Sequence, residues 1–145
     1  MIEQFRGKYG FLSNFAEVDV TLDGLTYPSI EHAFISAKSD DPDWKKMCSE
    51  DGYTASSLKK VAKTIPLAED WDLKKLHIMA NLLLQKFERE PFLSMLLETG
   101  DEEIVEGNYW NDKYWGYCLK TKEGENVLGK MIMFVRGVMQ KKYNE

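Results

Sequence analysis

The sequence predicts an α+β fold: a single compact, mainly helical domain, residues 1–145, with a small antiparallel β-sheet. Three observations predict it. The chain has 145 residues, 43% hydrophobic and 30% charged, which suits one globular domain able to bury about two-thirds of its unfolded surface. "AEVDVTLDGLTYP" (16–28) alternates apolar and polar residues on both sides of Asp23-Gly24, the pattern of a β-hairpin. Further on, apolar residues recur at helical spacing, most clearly in "DWDLKKLHIMANLLLQKFERE" (70–90). No repeat, low-complexity tract or Pro/Ser/Gly-rich linker divides the chain.

Each element follows from its residues. "MIEQF" (1–5) alternates like a strand, and "RGKYGFLSNF" (6–15), rich in turn-formers, reads as a loop packed down by Phe11 and Phe15. After the hairpin, Pro28 can open a helix at its first turn. That helix carries Glu31, Phe34, Ile35 and Lys38 at i, i+3, i+4 and i+7, on one face. "DPDWKKMCSE" (41–50) and "TASSLKKVAKT" (54–64) predict two short helices, started by Asp41 or Asp43 and by Thr54. The long helix is periodic in Leu73, Leu76, Ile78, Met79, Leu82, Leu83 and Phe87. Pro91 interrupts it and opens "PFLSMLLETG" (91–100), which Gly100 caps. "EEIVEG" (102–107) reads as a short strand and "NYWNDKYWGYCLKTKEGEN" (108–126) as a long loop or irregular hairpin. "NVLGKMIMFVRGVMQKK" (126–142) closes the chain as an amphipathic helix whose last lysines suit its dipole.

Composition excludes several classes. With 19 basic and 24 acidic residues the net charge is −5, which argues against a broad grip on duplex nucleic acid, since that needs a basic surface. Cys48 and Cys118 stand apart without CxxC or a His-Cys cluster, so they are expected to be reduced thiols, with no zinc site. No apolar run is long enough to span a bilayer and the N-terminus carries no signal pattern, so the expected location is cytoplasmic. "GENVLGKM" (124–131) matches part of a phosphate-binding loop, but Met131 replaces the Ser or Thr that would hold magnesium, and no apolar strand feeds it.

The candidate chemistry gathers in two places. Glu31 and Lys38 set a carboxylate and an amine on a face shared with Phe34 and Ile35. A carboxylate in a partly apolar site holds its proton more tightly, as a general acid or base needs, and a lysine becomes nucleophilic when burial lowers its pKa. Seven helical residues separate the two by roughly 10 Å along the axis, within reach of a sugar lying between them. The bland alternative for Glu31 is a carboxylate favourable to the helix dipole. The second place is "NYWNDKYWG" (108–116), where Tyr109, Trp110, Tyr114 and Trp115 surround Asn111 and Asp112. Such a loop either packs a satellite core or forms a stacking wall with an amide and a carboxylate to address a base or ribose. Arg6 and Lys8 in the first loop are candidate phosphate contacts. His32 and His77 read as structural or surface residues.

"YGFLSNF", "YPSIEHAFISAK", "NDKYWG" and "ENVLGKMIM..VR" occur in this order and near these spacings in the NADAR family of YbiA-like N-glycosidases, which the chain resembles from about Phe5 to Arg136. The resemblance implies hydrolysis of an N-glycosidic bond without a metal or redox cofactor. The implied substrates are phosphorylated ribosylamino-pyrimidine intermediates of riboflavin synthesis in one branch, and ADP-ribosylated guanine in nucleic acid in another. It implies Glu31 as the acid–base carboxylate and Lys38 as the pocket amine, acting as a nucleophile or leaving that role to water. Asp112 and Trp115 would hold the ribose and base beside Tyr114 and Asn111, with Asn14 and Phe15 of "LSNF" at the pocket edge. Family members often carry Gly-Lys-Asn before the last Leu-Gly, whereas this chain has Glu125 in the basic position; if that lysine holds phosphate in the family, the contact is weaker or relocated here. A rival from another class is a non-catalytic ADP-ribose or nucleotide-binding module. The sequence leaves the oligomeric state open.

Overall fold

The structure, a computed structural model, describes residues 1–143. It is α+β and rich in helix, with a small antiparallel sheet. Two compact units make up the chain: a continuous one of residues 14–86, and a discontinuous one of residues 1–13 together with those from 87 onward.

The continuous unit begins with a hairpin, β1 (Glu17–Leu22) and β2 (Leu25–Ser29), paired antiparallel. Its two-residue turn places Asp23 at φ 51° and Gly24 at φ 83°. Two positive φ values in a row match the twist of the strands, and Asp and Gly tolerate them best. The register shifts between Glu17 and Val20, a bulge that puts one extra residue on β1. The open edge of β1 is met by Gln85, whose side chain accepts from Thr21 N at 2.8 Å and donates to Thr21 O at 2.8 Å. An amide that pairs both backbone groups blunts the edge against stray strand pairing.

Helix α1 (Ile30–Ser36) follows without a break. Pro28 lies in β2 rather than opening the helix, and Ser29 takes the capping position, its hydroxyl accepting from His32 N at 3.1 Å. Pro28 pushes Tyr27 toward extended backbone, so it ends a strand here more naturally than it starts a helix. All seven residues of α1 are buried, so the expected single apolar face is a helix enclosed on every side. It packs against both strands, α2 (Pro42–Ser49) and α3 (Ala55–Ala62). Asp41 and Thr54 cap these two helices through Asp43 N and Ser57 N. Trp44 is buried and donates its indole N–H to Ile35 O at 3.2 Å, while Phe34 and Trp71 meet with ring centroids 4.9 Å apart. Helix α4 (Trp71–Phe87) buries Met79, Leu82, Leu83 and Lys86, but leaves Leu73 82% exposed and Leu76 outward. At about 100° per residue, Leu73 lies roughly 120° round the helix from Met79, too far for the same stripe.

In the discontinuous unit, residues Gly7–Leu12 form a 3₁₀ helix where a loop was expected. Leu12 is its buried residue, and Phe15, expected to pack the segment down, is 46% exposed. The strands read in "MIEQF" and "EEIVEG" reduce to one parallel bridge between the buried Ile2 and Ile104, with Ile2 N donating to Glu103 O and Val105 N to Ile2 O, both at 2.8 Å. β3 (Gly107–Asn108) and β4 (Tyr117–Cys118) form a short parallel pair at the base of the aromatic loop. Helices α5 (Phe92–Glu98) and α6 (Val127–Tyr143) pack together, and Arg136 Nη1 donates to Thr99 Oγ1 at 3.0 Å. Asn126, just before α6, accepts from Glu106 N and donates to Ile104 O, both at 2.9 Å. Cys48 and Cys118 are free and buried. Among the described residues no helix is long and apolar enough to cross a membrane.

Candidate active site

The continuous unit carries Asn14, Phe15, Glu31 and Lys38. Glu31 sits in the first turn of α1, 9% exposed, and its N–H donates to Asn14 O at 3.0 Å. This bond ties the "LSNF" segment to the base of the helix. Lys38 lies two residues beyond α1, outside the helix expected to carry it, and its N–H bonds Ile35 O at 3.2 Å in a tighter three-residue turn. Its carbonyl accepts from Ala68 N at 2.7 Å, fixing the backbone from the other side. The ammonium stands 6.0 Å from the centre of the Phe34 ring.

Burial lowers the pKa of Lys38 below the usual lysine value, and the like charges of Lys59 and Lys63 act the same way, whereas the charge of Glu31 opposes them. Desolvation is the largest of these effects. An amine that gives up its proton more readily, within the field of a buried carboxylate, has the character of a nucleophile or an electrostatic anchor. Asn14 is 7% exposed. Its amide N–H contacts Met79 Sδ at 3.7 Å, while Oδ1 is buried with no hydrogen-bond partner. Leaving such an acceptor unmet costs about 1–3 kcal/mol, a cost that clusters where a fold serves more than stability.

His32, next in sequence to Glu31, is structural, as expected. Ser29 Oγ lies 2.7 Å from Nδ1 and Tyr53 O lies 2.8 Å from Nε2. A carbonyl only accepts, so Nε2 carries the hydrogen and Nδ1 accepts from the serine. Both nitrogens are used in holding α1 to the α2–α3 connection. His77 is exposed on α4.

The discontinuous unit carries Arg6, Lys8, Asn111, Asp112, Tyr114 and Trp115. Arg6 and Lys8 are exposed at the start of the 3₁₀ helix, Lys8 Nζ lying 5.0 Å from the centre of the Tyr9 ring. The loop between β3 and β4 is organised by Asn108, which is completely buried. Its Oδ1 accepts from Trp110 N at 3.2 Å and Asp112 N at 3.1 Å, and its Nδ2 donates to Asp112 O at 2.9 Å. Asp112 in turn accepts from Tyr114 N and Trp115 N through one oxygen, at 3.2 and 3.1 Å. That oxygen builds the turn, so Asp112 has a structural task whatever else it does. Asn111 is exposed at φ 70°. Tyr114 and Trp115 meet edge-on, centroids 5.0 Å apart, and are half-buried, whereas Tyr109 and Trp110 are 58% and 60% exposed. The loop therefore both packs a satellite core and presents aromatic surface. Gly116 allows the turn to close: a Cβ there would lie 2.5 Å from Glu106 O and 2.6 Å from Asn108 Nδ2.

Asn108 and Asn126 are the residues that sequence reasoning overlooked. Each is a buried amide flanking an irregular segment; Asn108 follows Gly107, a signal that marks the edge of a loop, whereas Asn126 has no such neighbour.

The sequence and the fold have counterparts in known proteins. The chain is 34% identical over 134 residues to N-glycosidase YbiA of Escherichia coli (strain K12), covering 88% of this chain and 80% of the relative. It is 33% identical over 140 residues to N-glycosidase Npun_R5314 of Nostoc punctiforme, covering 88% and 84%. It is 32% identical over 135 residues to the riboflavin biosynthesis protein VVA0006 of Vibrio vulnificus, covering 91% of this chain but 36% of that longer protein. The NMR structure of the E. coli protein YbiA superposes with a TM-score of 0.83 at 28% identity, covering 100% of this chain and 90% of that one. Residues 3–140 match the NADAR domain, and with relatives of this identity and coverage the chain belongs to the NADAR family.

Proposed function

We propose that this protein is an N-glycosidase that hydrolyses the bond between a ribose and a base or amine, with Glu31 and Lys38 as the chemical pair. One observation carries the reading: a buried carboxylate and an amine of lowered pKa lie within each other's field at the two ends of one enclosed helical segment. The names of the relatives, N-glycosidases in two of the three, point to the same reaction.

In the reaction, the C1′–N bond breaks as positive charge grows on the ribose, and the leaving nitrogen takes a proton. Glu31 in its acid form supplies that proton and, as carboxylate, then takes one from water. If water attacks C1′, the products are the free sugar and the amine. If the neutral amine of Lys38 attacks instead, the sugar opens to an imine, its ring oxygen becoming a hydroxyl, and water then hydrolyses the imine to the aldehyde and returns the lysine. Asn14 and Phe15, in the same unit as Glu31 and Lys38, border the sugar. The substrate is a phosphorylated ribosylamino-pyrimidine or ADP-ribosylated guanine in nucleic acid, and the protein works in the cytoplasm with no metal. Offering both classes and identifying the released product by mass spectrometry is the test. Binding of either without product release would leave a nucleotide-binding module in place of an enzyme.

A further inference from the structure

The continuous unit holds a cavity of about 380 Å³ bordered by Phe15, Glu17, Glu50, Asp51 and Tyr53, with His32 against its inner side. Its volume falls within the range of small-molecule sites, about 300–1,000 Å³. Phe15 and Tyr53 are 46% and 44% exposed, so both rings offer surface to a guest. No Lys or Arg lines the cavity, and none of the three carboxylates enters an ion pair among the described residues. The walls are also set in place: His32 joins Ser29 to the carbonyl of Tyr53 through both ring nitrogens.

Two features favour anions and are outweighed. The first turn of α3 borders the cavity, and a helix N-terminus carries roughly half a positive charge against three full negative ones. Lys59 is one cation, 5.9 Å from the centre of the Phe15 ring and outside the lining, set against the three carboxylates that border the cavity. Among the described residues no three carboxylates, histidines or cysteines are grouped closely enough to hold a metal ion. The negative charge is spread round a roomy, aromatic-walled space, which fits a larger cation with its charge spread over several N–H groups.

We infer that this cavity is a binding site for a flat organic cation of the amidinium or guanidinium type, seated against Phe15 and Tyr53 and hydrogen-bonded to Glu17, Glu50 and Asp51. The site meets the proposed sugar edge at Phe15, but the carboxylates and Tyr53 that would recognise the cation have no part in the N-glycosidase reading. Calorimetric titration of the whole protein with benzamidinium tests it, with benzamide as the neutral isostere. Benzamidinium should saturate at one site and bind at least tenfold more tightly than benzamide. Tyr53→Ala, which keeps the backbone carbonyl that His32 needs, and Asp51→Asn in the exposed turn should each weaken it at least threefold with the circular dichroism spectrum unchanged. Equal binding of benzamide, no saturable binding, or benzamidinium affinities unchanged in both variants would overturn the proposal. Turnover on a glycosidic substrate, measured in the same two variants, reports separately on the active site.

Discussion

The amine of Lys38 has lost water to its surroundings, and Lys59 and Lys63 add like charge, so its neutral form appears at lower pH than in a free lysine. If that amine is the nucleophile, turnover rises as pH climbs through the lowered pKa and falls away below it. Lys63→Gln removes one repelling charge, lets Lys38 hold its proton more firmly, and should move this limb to higher pH; a limb that stays put argues for water. Borohydride added during turnover should fix the sugar to Lys38, located by peptide mass spectrometry. Glu31→Gln keeps the shape but not the proton, and should spare binding while slowing turnover at least about a hundredfold. Lys38→Ala should do comparable harm, and the double variant should be little worse than the worse single one, since members of one unit are not additive. Near-normal turnover of Glu31→Gln would make it a helix-dipole residue and nothing more. The short helix that carries Glu31 was legible in its contiguous residues, whereas its end before Lys38 was not. The unmet Oδ1 of Asn14 was not, because a lost hydrogen bond depends on what surrounds the atom in space.

Among the elements, the loop between β3 and β4 depends on buried hydrogen bonds more than on its rings. Asn108→Ala removes acceptor and donor together and strands the amides of Trp110 and Asp112, so it should destabilise by about 2–4 kcal/mol in urea unfolding. A change below about 0.5 kcal/mol would mean that the loop holds itself. Trp115→Ala should weaken substrate at least tenfold, because stacking one base contributes about 1–3 kcal/mol. Trp44→Phe, deep beside Ile35, should change folding stability and leave the affinity of folded protein alone; equal losses of affinity would count against a stacking role for Trp115. The hairpin, the two short helices with their caps and the two long helices were legible, each being written in contiguous residues. The failures share a cause. Pro28 can end a strand as well as begin a helix, and only Ser29 binding His32 N decides between them. The strands read in residues 1–5 and 102–107 shrink to one bridge, since a strand needs a partner of matching length that local alternation does not reveal. The short parallel pair β3–β4 has no local signature at all.

At the scale of the whole molecule, the net charge of −5 predicts weak, salt-sensitive attraction to unmodified duplex DNA, so any action on nucleic acid must come through local contacts with the modified base. Stability should carry a second electrostatic mark. Lys86 is completely buried, and desolvation brings its pKa down to about 7. Between that value and the usual 10.5 the unfolded chain binds a proton that the folded chain does not, so this residue makes stability rise with pH across that window and fall as pH drops through 7. Unfolding free energies from pH 7 to 10 should therefore climb more steeply in the native protein than in Lys86→Met, and identical slopes would exclude the effect. The division of the chain also bears on its birth. All residues of the 14–86 unit leave the ribosome before the other unit can be completed, because residues 1–13 wait for partners that begin at 87. The hairpin, α1 and its caps belong wholly to the portion that emerges early, so the helix proposed to bear the chemistry can form while synthesis continues. Residues 1–13 meanwhile wait for partners of their own, α5 and the stretch around Ile104, so their tertiary contacts form only after those have been made.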